Sequence, residues 1–218
     1  MIRKLVIIGA GDFGREVAAL VRIINLSESE IKYEILGFVD DSEQLQGKIV
    51  DGIPVIGKIE LLNEYEEELY AVCSVGVGKT RKKIIEKIMN EKILFPNLID
   101  PTVVFLEDSK MGVGNIICAN NAISIATQMD NHVIINLSCT IGHDVKVGSY
   151  CTINPGSNLS GFVELEDCVD VGTGTKIIQH VSIGNNTTSG AGTVVVRDIE
   201  PNVTVVGSPA RVIKYHME

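Results

Sequence analysis

The residues best suited to chemistry in this 218-residue chain are a histidine and an aspartate in tandem, His143-Asp144, within Thr140-Ile-Gly-His-Asp-Val-Lys-Val-Gly148. An imidazole with an unperturbed pKa near ~6.5 can accept a proton at neutral pH and release it again. A neighbouring carboxylate can fix the ring tautomer, raise its basicity and stabilise the imidazolium that forms, as a general base in acyl transfer requires. A second cluster lies near the N-terminus. Gly9, Gly11 and Gly14 make a G-x-G-x-x-G run after an apolar strand and before a helical pattern, a context that suits a phosphate at a helix N-terminus. Asp40 and Asp41 close the next strand, where an acid can meet a ribose hydroxyl.

Other features narrow the field. Gly76-Val-Gly-Lys-Thr80 looks like the end of a P-loop, but the first glycine of that motif falls on Cys73. Lys79 is therefore read as the start of a solvated helix face, with Arg81, Lys82 and Lys83 beside it. Five cysteines form an odd set without a CxxC pair, which points to a reducing compartment and no zinc cluster. The formal net charge of −9 argues against nucleic acid and anionic membrane as partners. No apolar run is long enough to span a bilayer, and the stretch in MIRKLVIIGAGDFG is too short for a signal peptide. The expected location is the cytoplasm, without membrane insertion.

The chain changes rhythm near residue 95. Before it, strands at Leu5–Gly9, Glu34–Asp41 and Leu69–Gly76 alternate with helices. One helix carries Phe13, Val17, Leu20 and Ile24 on one face; the other, over Thr80–Glu91, pairs Ile84 and Ile85 with Ile88 and Met89. That pattern predicts a Rossmann-like α/β domain on a parallel sheet over residues 1–95. From Ile99 to Ile183 every sixth residue is large and apolar, as in Ile135, Ile141, Val147 and Ile153. At 45% hydrophobic content, that run has a chance on the order of 10⁻⁵. Four residues after each comes a small or β-branched residue or an asparagine, such as Ser109, Cys139, Val145, Cys151 or Thr175. A helix cannot hold period six on one face and a plain strand gives period two. Short strands with a corner every sixth residue satisfy both, so residues 96–218 are predicted to form a β-solenoid with a C-terminal tail. His143, two residues past the inward Ile141, should project outward. Asp144 can reach its ring only if the corner bends the chain there.

The [LIV]-G-x-x-[STV]-x repeat resembles that of the hexapeptide-repeat acyltransferases. Together with GAGDFG/FVDD, TIGHDVKVG and the ending GSPARVI, the whole chain is similar to the sugar acetyltransferases among them. These include the UDP-4-amino-sugar N-acetyltransferase of bacillosamine synthesis, perosamine N-acetyltransferases and sialic acid O-acetyltransferases. The resemblance implies a left-handed parallel β-helix with three hexads per turn. It also implies acetyl-CoA as co-substrate, no metal, and a homotrimer with sites between subunits. Carried over by motif, His143 is the catalytic base and Asp144 raises its basicity. Thr152, Thr173 and Ala191 are acetyl-CoA contacts, while Arg211 is read either as reaching a CoA phosphate or as a solvated arginine of the tail. Gly11, Asp12, Phe13, Asp40, Asp41 and Gly76 contact a nucleotide sugar. Thr152 departs from the family, which commonly has histidine there. His132 and His180 are expected at the surface. The expected reaction is N-acetylation of a nucleotide-linked 4-amino-4,6-dideoxy sugar for surface glycan synthesis. O-acetylation of sialic acid or another cell-surface sugar is the close alternative. A nucleotide-binding oxidoreductase and a non-catalytic solenoid scaffold are those of another class.

Overall fold

In the computed structural model, which describes residues 2–29 and 31–216, the N-terminal part is a six-stranded sheet. Its elements are β1 (Arg3–Ile8), α1 (Asp12–Ser27), β2 (Tyr33–Val39), β3 (Ile49–Val50), β4 (Ile53–Gly57), β5 (Leu69–Cys73), α2 (Gly78–Ile85) and β6 (Ile93–Leu94). The strand order is β3-β4-β2-β1-β5-β6, parallel except for the β3–β4 hairpin. β1 is central and its Leu5, Val6, Ile7 and Ile8 have no exposure, as a strand covered on both faces demands. The hairpin was not anticipated. Its signal is Asp51-Gly52 between apolar pairs, and both residues have the positive φ, +47° and +79°, that a tight hairpin turn needs.

α2 is shorter than the apolar pattern predicted. It stops at Ile85 and Met89 is exposed. The chain beyond it is captured by side chains instead: Asn63 donates to the Lys87 carbonyl at 3.0 Å and accepts from the Met89 N–H at 2.8 Å. Those bonds compete with the i→i−4 ladder and tighten the last turn.

From Leu98 to Val195 two-residue strands stack into three parallel sheets, the β-solenoid that the repeat predicts, of the left-handed type that the resemblance implies. The first face holds Leu98–Ile99, Ile116–Ile117, Ile134–Ile135, Thr152–Ile153, Asp170–Val171 and Thr188–Ser189. The second includes Thr140–Ile141 and Asn158–Leu159, the third Lys146–Val147 and Glu164–Leu165. Each strand pairs in register with the one eighteen residues away, as Thr140 does with Asn158. Every sixth residue from Asp108 to Gly192 turns a corner with φ between +56° and +72°, yet only Gly114, Gly156, Gly174 and Gly192 among them are glycine. A side chain in that region costs about 1–2 kcal/mol. The corners persist because from Ala126 to Gly192 each N–H is tied to a carbonyl one coil back, as in Asp144 to Ile125 and Phe162 to His143.

The N-terminal part docks on the first face. Leu98, Ile116 and Ile134, the outward members of their strands, are buried in one cluster with Val17, Leu20, Val21 and Ile24 of α1. Consecutive apolar pairs Leu-Ile, Ile-Ile and Ile-Ile at a spacing of eighteen therefore mark a strand apolar on both sides. All five cysteines are buried thiols. Burial raises all of them, Cys73 to about 11 and Cys118 to about 12, which keeps them protonated and unreactive at neutral pH. Among the described residues no helix is long and apolar enough to cross a membrane.

Candidate active site

His143 lies on the edge between the second and third faces. Ile141 before it and Val145 after it point into the packed interior, at 2% and 0% exposure. Asp144 makes the turn between them with φ +56°, a region aspartate tolerates because its short side chain bonds locally. The turn brings the carboxylate back against the preceding residue, and Asp144 Oδ2 lies 2.9 Å from His143 Nδ1. A carboxylate only accepts, so Nδ1 holds the proton and Nε2 keeps its free lone pair. Both side chains are about half exposed.

The ring is confined from the next coil. It lies over Gly161, where an added Cβ would come within 2.5 Å of both Cε1 and Nε2. Phe162 meets it edge to face, with ring centroids 5.1 Å apart at 88°. Gly161 is not in the left-handed region, so alanine fits its backbone and only the imidazole must give way. Gly161→Ala is expected to leave the melting temperature near that of the wild type. It should lower any turnover that uses this imidazole by about 10²-fold, the scale of a group displaced by about an ångström. Thermal melts beside steady-state rates check it; unchanged turnover would show that the ring's seat is immaterial.

The C-terminal edge of the N-terminal sheet gathers the residues expected to hold a nucleotide sugar. Gly11 and Asp12 open α1, Phe13 is half-buried in its first turn, Asp40 and Asp41 follow β2, and Gly76 follows β5. Gly14 seats the helix: a Cβ there would be 2.2 Å from the Gly9 carbonyl oxygen. Asp40 accepts the Ala10 N–H and the Ser42 N–H, each at 2.8 Å, which ties the glycine loop to the end of β2. Asp41 accepts the Ile59 N–H at 3.1 Å and faces Lys87 at 3.8 Å. A cleft of about 390 Å³ opens here, with Gly9, Asp40, Asp41, Ile59 and Ile84 in its wall.

Three expectations need correction. Arg81 is not on a solvated face; it is 1% exposed. Its guanidinium donates to the carbonyls of Val75 and Gly76 in the N-terminal part and of His132, Tyr150 and Cys151 in the solenoid. Burial pulls its pKa below the ordinary arginine value. Thr152 does not offer its hydroxyl to a thioester. It is buried beneath Gly76, donating to that carbonyl at 2.6 Å and accepting from Arg81 at 3.1 Å. Both capacities of the hydroxyl are thereby engaged.

His132 is likewise no surface residue. It is 4% exposed, stacked on Tyr150 and edge-on to Phe95, with Nδ1 buried and unpartnered. Burial, and then the Arg81 charge, lower its pKa to about 4. A folded pKa below the unfolded ~6.5 means the unfolded chain binds the proton more tightly. Stability from this site is therefore full above pH ~6.5 and drains away as pH falls toward 4, by about 3 kcal/mol. His132→Phe keeps the stack, and Tyr150 and Phe162 already show that an aromatic can occupy such a corner. The variant should lack that part of the acid-induced loss in urea titrations between pH 7 and pH 4.5; identical acid sensitivity in the two proteins would refute it. His180 is exposed, as expected.

Thr173 and Ala191 are exposed at the edge between the first and second faces, on successive coils. Beside them, a Cβ built at Gly174 or Gly192 meets nothing within 4 Å, so the backbone there is open to close approach. Arg211 is exposed and donates to the Ala210 carbonyl. These residues and His143 thus border the two edges of one face.

The PglD N-terminal domain family matches residues 4–88. Over 213 residues the chain is 30% identical to a GDP-perosamine N-acetyltransferase of Escherichia coli O157:H7, covering 95% of each. The acetyltransferase domain of PglB from Neisseria gonorrhoeae FA1090, solved with acetyl coenzyme A, has a TM-score of 0.88 at 32% identity, over 98% of this chain and 100% of that one. PerB from Caulobacter crescentus, solved with CoA and GDP-perosamine, has a TM-score of 0.85 at 28% identity over 97% of both. With both parts of the chain accounted for, it belongs to the hexapeptide-repeat sugar N-acetyltransferase family that these proteins represent.

Proposed function

We propose that this chain transfers the acetyl group of acetyl-CoA to the amine of a nucleotide-linked 4-amino-4,6-dideoxy sugar. The observation that carries the reading is the His143–Asp144 pair, with Nε2 free on an outer edge of a rigid solenoid. Acetyl-CoA supplies an acyl group already activated as a thioester. His143 Nε2 removes the proton from the amine as its nitrogen attacks. Asp144 holds the Nδ1 proton and stabilises the imidazolium that results. The tetrahedral intermediate collapses by breaking its C–S bond, and the departing CoA thiolate takes the proton from the imidazolium and leaves as free thiol. The Gly11, Asp12, Phe13, Asp40, Asp41 and Gly76 edge is the proposed seat of the nucleotide sugar. The backbone around Thr173 and Ala191 is the proposed seat of CoA. Residues 1–95 hold the acceptor and residues 96–218 carry the acyl chemistry. The GDP-perosamine bound by PerB supports the nucleotide-sugar class.

One chain does not complete this site. A three-sided prism has one edge opposite each face, and His143 stands on the edge opposite the first face, where the N-terminal part docks. The sugar edge and the base meet only if a second copy brings its own. The second face suits that contact: Val104, Leu106, Ile178 and Val196 are exposed along it. A homotrimer packed through this face satisfies both requirements. Five free thiols and the use of acetyl-CoA favour the cytoplasm as its location.

The deciding experiment measures free thiol released from acetyl-CoA with a panel of nucleotide 4-amino sugars and with sialic acids. Release that depends on an amino sugar supports the proposal. Release only with a hydroxyl acceptor, or none above background across the panel, rejects it.

A further inference from the structure

Phe162 is anomalous in three ways at once. It is a bulky aromatic at a left-handed corner, φ +58°, where glycine or asparagine would sit with less strain. It is 44% exposed. It also adjoins the base: its N–H donates to the His143 carbonyl at 3.0 Å, and its ring meets the imidazole at 5.1 Å and 88°. His180, one coil further, stacks face to face on the same ring at 4.8 Å and 10°. Phe162 is thus held between two imidazoles, parallel to His180 and at right angles to His143. Strain kept beside a reacting group points to a role there.

We propose that Phe162 is a positioning residue for His143, the wall that keeps the imidazole seated over Gly161 with Nδ1 held on Asp144. His180 backs that wall. The role rests on the proposed acetyl transfer for its effect on rate, but not for its effect on the ring itself.

The test compares Phe162→Gly, Phe162→Leu and Phe162→Tyr with the wild type. Glycine relieves the backbone strain, so Phe162→Gly should melt at or above the wild-type temperature and sediment as the same assembly. Its kcat should nevertheless fall at least ~10-fold with little change in the KM for acetyl-CoA. Phe162→Leu should resemble it in rate, and Phe162→Tyr should restore most of the turnover. In NMR spectra the His143 Cε1–H should carry the ring-current shift of the Phe162 ring in the wild type. It should lose that shift in the glycine and leucine variants and regain it with tyrosine. That signal is read without substrate, so a failure of the acetyl-transfer reading leaves it informative. An unmoved ring signal overturns the positioning role. So does wild-type kcat in an active enzyme's glycine variant, or a loss of kcat that tracks a lower melting temperature or a dissociated assembly.

Discussion

Replacing His143 with alanine lowers kcat for the preferred amino-sugar acceptor by at least ~10²-fold, the lower end for a positioned general base. The side chain is about half exposed and packs only at the surface, against Gly161 and Phe162, so melting temperature and the KM for acetyl-CoA stay close to wild type. The effect is on kcat because the proton moves only as the amine attacks; binding of either substrate gains nothing from a base. Asp144→Asn is the informative companion. Asparagine tolerates φ +56° as well as aspartate does, so the corner survives while the carboxylate that orders the ring is lost. Its kcat should fall between those of the wild type and His143→Ala. A decline of less than ~3-fold in His143→Ala on the preferred acceptor rejects the assigned role.

The second large effect is on stability. Arg81→Met leaves five carbonyls and the Thr152 hydroxyl without their shared donor, and unfolding free energy should drop by about 4 kcal/mol. Arg81→Lys should recover little of it. The acceptors are spread around a planar fork, and a single ammonium cannot reach both the Val75–Gly76 loop and the Tyr150–Thr152 corner. Urea unfolding at neutral pH measures both. Because Gly76 is one of the anchored carbonyls, the lysine variant should also show a raised KM for the nucleotide sugar with kcat held. Arg81→Met unfolding within about 1 kcal/mol of wild type would remove this residue from the account.

Much of the solenoid could be read from the chain because its period is unlike that of any other element. Inward residues at Ile117, Ile135 and Ile153 repeat too regularly for chance, and the strands form where they fall. The pairing of His143 with Asp144 was legible as a condition, that the corner bend, and φ +56° meets it. Arg81 was not legible. Within Lys-Thr-Arg-Lys-Lys it resembles its solvated neighbours, and only the tertiary fold turns that one position of α2 onto the solenoid. His132 and Thr152 were misjudged for the same reason, since their burial depends on what docks from outside the repeat. A clue was present in the Leu-Ile, Ile-Ile, Ile-Ile succession at Leu98, Ile116 and Ile134, which marks the covered rungs. The end of α2 depended on Asn63, some twenty residues upstream, beyond the reach of any local pattern.

The strict eighteen-residue register makes the solenoid a ruler graduated in whole coils. Insertion of one full coil between Ile134 and His143 would slide the imidazole along the axis by one strand spacing, about 4.8 Å, without rotating it. Insertion of six residues would instead carry it around to a different side of the prism. Length variation within this stretch is thus confined to multiples of a coil, and the distance from the docked nucleotide fold to the reacting nitrogen can change only in discrete steps.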